Sequence, residues 1–562
     1  MPLFLFYFLS FLEGASVMAA ELLGAKMLAP YFGSSLYVWA SVLGITLGGL
    51  AMGYFAGGVF SQKKNNEKNL YAVLLASAIF LILMPLTAKE IMLHTAGFSL
   101  LASILISSFI FLFPPVFFMG MVSPMIVQCI AHPVPPEGRE KDTQDSPLRG
   151  AGGLAGTVYA ISTLGGIIST FLLGFYLIPN FGLTKPAIVM GIILGIIPFV
   201  KLITAKNFFS LIFLFAVFFS FRASPSPSER DGVRLLYSSE GLLGQIIVAD
   251  YPLASTPSLL LQEKGVRDEV GYQRILFVNR STQTIVTYKK GEKSFFEYVD
   301  LISEKTKNSV RRTPCGEGGI QKTEEKKALV LGLGGGSIAN KLSENGFQVD
   351  AVELDERMAD CAKKFFDLNK NVKVNIDDAR HYVRWMMDNG QWLMEQHQPS
   401  TINHQPLYSV VVLDAFIGEV NPHHLFTTEF FSEIKSLLSD SGTFFINGNG
   451  FWNGEEGKGM RSVCKTLINS GFDVELIPTS EQEDYRNLLF VAKPISNLSQ
   501  REGSLHLQVP SLGGDLGEAV ILTDEKPQLE ILNAEANRQW REACMKYFLS
   551  GYYSGQDKLL FK

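Results

Sequence analysis

The chain has 562 residues, 47% of them hydrophobic, with a formal net charge of −5 and a mean hydropathy of +0.19. The absence of a basic excess gives no footing for a nucleic-acid partner, and five scattered cysteines, an odd number, exclude a disulfide framework. The averages conceal an apolar first part and a polar second part.

In chain order, apolar runs at 3–29, 36–60, 70–88, 98–130, 154–178, 186–204 and 207–221 mostly reach the ~20 residues that cross a bilayer. They predict a helical membrane domain over 1–222 with six or seven spans. The first run lacks a basic leader and a small-residue cleavage site, so it is read as retained. Lys63, Lys64, Lys68, Arg139, Lys141, Arg149, Lys201 and Lys206 fall in loops on one side, against Lys89 and Lys185 on the other. That asymmetry puts the first residues in the cytoplasm. The last run has 15 residues and reads as shallow or re-entrant, which leaves the following polar half cytoplasmic beneath a cell (inner) membrane. Glu13 and Glu21 are ionisable groups at membrane depth, Glu21 having Lys26 as a candidate partner, and Gly48, Gly49, Gly53, Gly57 and Gly58 read as helix-packing positions.

A Pro/Ser-rich linker at 223–232 precedes a small β subdomain, 233–312, and a charged stretch at 311–327 leads into an α/β nucleoside-binding domain, 326–495. There Ala328 to Leu331 is an apolar strand that ends in Gly332-Leu-Gly334-Gly-Gly336, and Ser337 to Glu344 continues at helical spacing. Val349 to Val352 is a second strand, closed by Glu353 about 20 residues after the first glycine, where an acid binds ribose hydroxyls. Val372 to Ile376 runs into Asp377-Asp378-Ala379-Arg380, and Tyr408 to Leu413 ends in Asp414. In a parallel sheet such strand ends share one crevice, so Glu353, Asp378 and Asp414 are expected to converge, a loop cap being the competing role, above all for Asp377. His397 and His404, in the polar excursion 391–405, have no neighbouring ligands, and no metal site is expected. His423 and His424 read as packing or capping residues, and 496–562 is a C-terminal extension without a legible motif.

The sequences GLGGGS, VELD, DDAR and LDAF, followed by Pro422, His424-Leu425 and TTEFF, together resemble spermidine synthase over roughly 235–495. Gly14, Glu21, Pro30-Tyr-Phe-Gly33 and Gly48–Gly53 resemble the opening of bacterial variants with a fused membrane domain, and Gly244-Gln-Ile-Ile-Val248 with the Gln283 strand resembles the β subdomain of those enzymes. The resemblance implies a multi-span α-helical membrane domain followed by a Rossmann-like, methyltransferase-type α/β domain with a small β subdomain in front. It implies aminopropyl transfer from decarboxylated S-adenosylmethionine to a small-molecule amine, with no tightly bound cofactor. Asp414 would be the catalytic residue. Gly332, Gly334, Gly336, Glu353, Asp378 and Ala379 would bind the cosubstrate, and Gln283 and Glu297 the amine. Soluble relatives commonly dimerise, so a homodimer is also implied.

Three departures leave other readings open. The glycine turn carries Gly335 and Ser337 where soluble relatives have an aspartate, Phe295-Phe296 replaces a Tyr-His pair, and the loop after Asp414 reads Ala-Phe-Ile-Gly-Glu419. Tyr298 could supply the missing hydroxyl. Methyl transfer from S-adenosylmethionine to an amine or membrane substrate is one alternative; a nucleoside-binding transporter or sensor without turnover is the other.

Overall fold

The computed structural model describes residues 3–32, 36–62, 66–95, 98, 100–131, 148–207, 210–222, 233–241, 243–252, 271–289, 292–294, 296–307, 326–395, 408–416, 418, 420–483, 486–495, 507–508, 516, 518–526 and 528–541. The linker 223–232, nearly all of the stretch 311–327, and Gly33, Lys63, Lys64, Arg139, Lys141, Phe295, Cys315, His397, His404, Glu419 and Cys544 lie outside these residues. The chain divides into two compact units, Met1–Ser228 with Ser239–Gln245, and Glu229–Ser238 with Ile246–Lys562.

The first unit is helical: α1 (Leu3–Phe32), α2 (Leu36–Phe60), α3 (Asn66–Thr95), α4 (Leu100–Phe111), α5 (Phe113–Ala131), α6 (Leu148–Leu172), α7 (Thr184–Thr204) and α8 (Leu211–Arg222). Six helical stretches among the described residues are long and apolar enough to cross a membrane. The apolar run 98–130, expected as one segment, is two helices. Pro114 and Pro115 sit in the first turn of α5, where a missing N–H costs nothing, and they bar α4 from continuing through Leu112. With 12 residues, α8 falls short of the ~20 needed to span. A Cβ on Gly53 or Gly57 would collide with the carbonyl oxygens of Phe117 and Met121, so α2 and α5 meet backbone to backbone; Gly48 and Gly58 have nothing within 4 Å and do not share that role. Glu13 is buried, its Oε2 accepting from Ser162 Oγ at 2.9 Å and Ser123 Oγ at 3.3 Å. Glu21 and Lys26 form no ion pair; the Lys26 ammonium lies 5.8 Å from the ring centre of Trp39.

Strands β1 (Arg234–Gly241), β2 (Gly244–Pro252), β3 (Tyr272–Val278), β4 (Ser281–Lys289) and β5 (Glu292–Ser294) form a sheet in sequence order. Helix α9 (Glu297–Lys307) leads on to β6 (Lys327–Leu331), α10 (Ser337–Glu344), β7 (Gln348–Glu353), α11 (Glu356–Phe365), β8 (Lys373–Ile376), α12 (Ala379–Glu395), β9 (Tyr408–Leu413), α13 (Thr428–Leu437), β10 (Leu438–Asn449), α14 (Lys458–Asn469), β11 (Phe472–Pro478), β12 (Asn487–Pro494) and β13 (Leu507–Gln508). The large sheet runs β13-β11-β12-β10-β9-β6-β7-β8, parallel from β10 to β8, with β12 antiparallel to its neighbours. Its central strands read as unbroken apolar runs because both faces are covered, one by α12, α13 and α14 and the other by α9, α10 and α11. The small sheet packs Ile246, Val248, Leu276 and Val286 on Met358, Cys361 and Phe366.

Part of the C-terminal extension is built into this core. Leu522 and Leu529 are buried with the β9–β10 face, and the carbonyl of Leu522 accepts from the N–H of Thr428 at 2.9 Å. Arg380 is buried and donates to Glu433 at 2.8 Å, to both Asp524 oxygens at 2.7 and 2.8 Å and to the His424 carbonyl at 3.1 Å. Arg380→Ala leaves Glu433 with Arg384 and Asp524 with the Thr427 hydroxyl, so the loss should be about 2 kcal/mol. Chemical denaturation of the full-length protein in detergent checks this; a loss below about 1 kcal/mol would mean the pairs behave as exposed ones.

Candidate active site

The sheet reverses its order of addition between β6 and β9, and this switch point opens a crevice beyond the carboxyl ends of both strands. The glycine turn follows β6. Gly332 (φ +92°) and Gly334 (φ +53°) have left-handed backbones, and a Cβ on Gly332 would run into the carbonyl of Asp414, so the two strand ends touch there. Thr284 of β4 accepts the Gly335 N–H at 2.9 Å, fastening the turn to the small sheet. Gly336 precedes α10 without a side-chain cap, and its own N–H goes to the Leu333 carbonyl at 2.8 Å. At the end of β7, Glu353 accepts from the N–H of Leu333 at 3.0 Å and of Asp355 at 2.9 Å. Burial pushes its pKa up and these bonds oppose the rise.

Asp414 stands at the end of β9, its own N–H bound to the Leu331 carbonyl at 2.9 Å. Its carboxylate is half-buried, Oδ1 accepting from Asn447 Nδ2 at 2.8 Å and Oδ2 from the Tyr298 hydroxyl at 3.2 Å. Burial raises its pKa above the usual aspartate value, against the pull of the two hydrogen bonds. Behind it, Asn487 donates to Asn447 Oδ1 at 3.0 Å. Asn447 and Asn449 close β10, and Asn487 opens the antiparallel β12 beside Asn449, so all three reach the same sheet edge.

Asp378 caps α12, accepting from the N–H of Arg380 at 2.9 Å and of His381 at 3.0 Å, while its other oxygen meets His424 Nε2 at 3.2 Å. The His424 bond, followed by the cap N–H groups, pulls its pKa down to about 2 despite partial burial. The cap role weighed for Asp377 thus falls to Asp378, and Asp377 holds the His381 ring at 2.7 Å.

One cavity is lined by Gly332, Gly334, Glu353, Asp378, Ala379, Asp414 and Gln283, bringing together most of the residues singled out from sequence. Gln283 donates to the Gly418 carbonyl at 2.8 Å, tying β4 to the loop after Asp414. Gly336 shapes the turn without lining the cavity. Glu297 does not reach it: as the first residue of α9 it is exposed, and the next residue, Tyr298, turns inward. Sequence reasoning missed Asn447, Asn449, Asn487 and Trp540 as lining residues.

Residues 315–481 match the family model of the spermine/spermidine synthase domain. The C-terminal region carries this transferase domain. A polyamine aminopropyltransferase of Vibrio vulnificus is 28% identical over 263 residues, covering 45% of this chain and 79% of the relative. An N-terminal histidine N-methyltransferase of Emericella nidulans is 36% identical over 120 residues, 21% of this chain and 19% of that protein. The crystal structure of spermidine synthase from Thermotoga maritima aligns at 14% identity with a TM-score of 0.28, covering 54% of this chain and 88% of that one.

The raised pKa of the half-buried Asp414 bears on stability. Its folded pKa lies above the unfolded one, so the folded state holds the proton more tightly and stability falls as pH rises from the unfolded value through the folded one. Asp414→Asn should therefore melt higher than the wild type at neutral pH, with the gap closing below about pH 4. A pH series of thermal melts tests this, and a variant that melts lower at neutral pH contradicts it.

Proposed function

We propose that this protein is a membrane-anchored aminopropyltransferase, moving the aminopropyl group of decarboxylated S-adenosylmethionine onto an amine. The observation that carries the reading is the single cavity shared by the glycine turn, Glu353 and Asp414. The close backbone approach that the glycine turn allows and a carboxylate one strand over suit a nucleoside, Glu353 accepting from ribose hydroxyls and the Asp378–Ala379 end of α12 meeting the base. The amine nitrogen attacks the methylene beside the sulfonium. A C–N bond forms, the C–S bond breaks with its electrons on sulfur, and methylthioadenosine leaves. The proton lost by nitrogen passes to Asp414, whose raised pKa makes it a better acceptor. Tyr298 donates to Asp414 and keeps a lone pair for an amine N–H, which would orient the nucleophile.

Six crossings and the Lys/Arg excess favour a cytoplasmic catalytic half under an inner membrane, where adenosyl cosubstrates are found. One observation favours methyl transfer as a second reading: the turn Gly332–Ser337 carries no acid to hold an aminopropyl ammonium.

Transfer of label from each cosubstrate to a panel of amines decides between them. The expected outcome is an aminopropylated product from decarboxylated S-adenosylmethionine and no methylated product. Asp414→Asn should lower the rate about 10²- to 10⁴-fold while nucleoside binding persists. Methyl label on the amine would replace the first reading with the second, and nucleoside binding with no transfer from either cosubstrate would leave a sensor.

A further inference from the structure

The proposed cavity has an adenosyl end at Glu353 and Asp378, and an opposite end beyond Asp414 whose lining no sequence motif announced. At that opposite end Asn449 is 7% exposed and, among the described residues, its Oδ1 has no hydrogen-bond partner, whereas its Nδ2 is engaged by Asn537 at 3.5 Å. A buried amide oxygen left without a donor is costly, and here its side chain belongs to a residue that lines a cavity. One helical turn beyond Asn537, Trp540 forms part of the same wall. The next residue, Arg541, is buried, donates to the Asn279 carbonyl at 3.4 Å and has Nη2 beside Gly418, in the loop that follows Asp414. The last described helical stretch of the extension therefore lies across the β3–β4 turn, the post-Asp414 loop and the end of β10.

We infer that the C-terminal extension completes the acceptor subsite, with Trp540 bearing on the acceptor's alkyl chain and cationic end and Asn449 Oδ1 accepting one of its N–H groups. This rests on the aminopropyl-transfer reading and adds to it the residues that choose the acceptor. The chemistry fits an aliphatic amine. An indole face attracts an ammonium and packs a methylene chain without a hydrogen bond of its own, and a neutral amide oxygen receives an N–H without adding charge. Among the described lining residues Asp414 is the one carboxylate at this end, beside Phe296, Tyr298, Phe416, Trp540 and the three asparagines. Among the described residues a buried second ammonium has no counter-charge there, so amines with a single cation near the reacting nitrogen, or a second one far enough away to reach solvent, should be preferred.

The test uses the full-length protein in detergent, decarboxylated S-adenosylmethionine labelled in its aminopropyl chain, and a panel of linear, branched and short-chain diamine acceptors. Trp540→Ala should raise acceptor KM roughly tenfold and lower kcat by less, with methylthioadenosine affinity in calorimetry unchanged, and Trp540→Phe should recover most of the loss. Asn449→Leu should raise acceptor KM in the same way and reorder the panel. It also keeps the inference open to refutation should Trp540→Ala fail to fold. Parallel weakening of methylthioadenosine binding, or an acceptor KM and amine ranking indifferent to all three variants, overturns the inference while wild-type turnover upholds the transfer reading. A wild type that binds methylthioadenosine and transfers no aminopropyl group to any amine overturns both.

Discussion

A half-buried carboxylate with no cation paired to it among the described residues has to be held by hydrogen bonds, and Asp414 imposes that condition on the residues around it. Its two oxygens take an amide from Asn447 and a hydroxyl from Tyr298, and Asn447 is in turn fixed by Asn487. Each of these donors is neutral, so the charge is stabilised without being cancelled and the cavity wall keeps a net attraction for a positive group. An ammonium entering there recovers electrostatic energy that the empty site lacks. Burial is what raises the proton affinity of Asp414, and in the proposed reaction that same environment would both attract an amine and favour taking its proton.

The sheet topology makes the arrangement possible. Because strands are added in opposite directions from β6 and β9, the chain leaves the sheet on diverging paths at these two ends, and the gap holds both the glycine turn and Asp414. The closeness of Gly332 to the Asp414 carbonyl shows how little room remains for any side chain at the turn. The antiparallel β12 adds something a purely parallel sheet would not: its first residue, Asn487, lies at the edge where the parallel strands finish, and it supports Asn447 from behind.

The parts of this site legible in the sequence are those encoded by local spacing. Strand, glycine turn, helix and acid form one βαβ unit, and Asp414 is marked by the buried run before it, so the order of residues carries the geometry. Tyr298 and Glu297 show where such reading slips. They are neighbours, but Tyr298, Val299, Ile302, Ser303 and Thr306 form the buried stripe of α9, and its 3.6-residue period puts Glu297 outside. The split of 98–130 was also written locally, in Pro114-Pro115. Asn447, Asn449, Asn487 and Trp540 carried no such signal, since isolated asparagines at strand ends and a tryptophan in a polar helix gain meaning only when distant segments meet.

The extension's integration also gives the two ends of the cavity a common support. Arg380 fixes Asp524 and the His424 carbonyl, the His424 ring holds Asp378, and the segment carrying Asp524 continues towards Trp540. The Asp378 cap of α12 and the proposed acceptor wall are thus anchored on one buried guanidinium. Taken alone, Arg380 has Glu433 and Arg384 has the same Glu433, which suffices to join α12 and α13. The bidentate grip on Asp524 adds nothing to the nucleoside half that Glu433 could not supply, but it fixes where the chain leaves the core, and hence where the last helix can lie. A domain whose sheet and nucleoside turn were already complete would have little need for that grip unless the residues downstream of Asp524 had a place to be held.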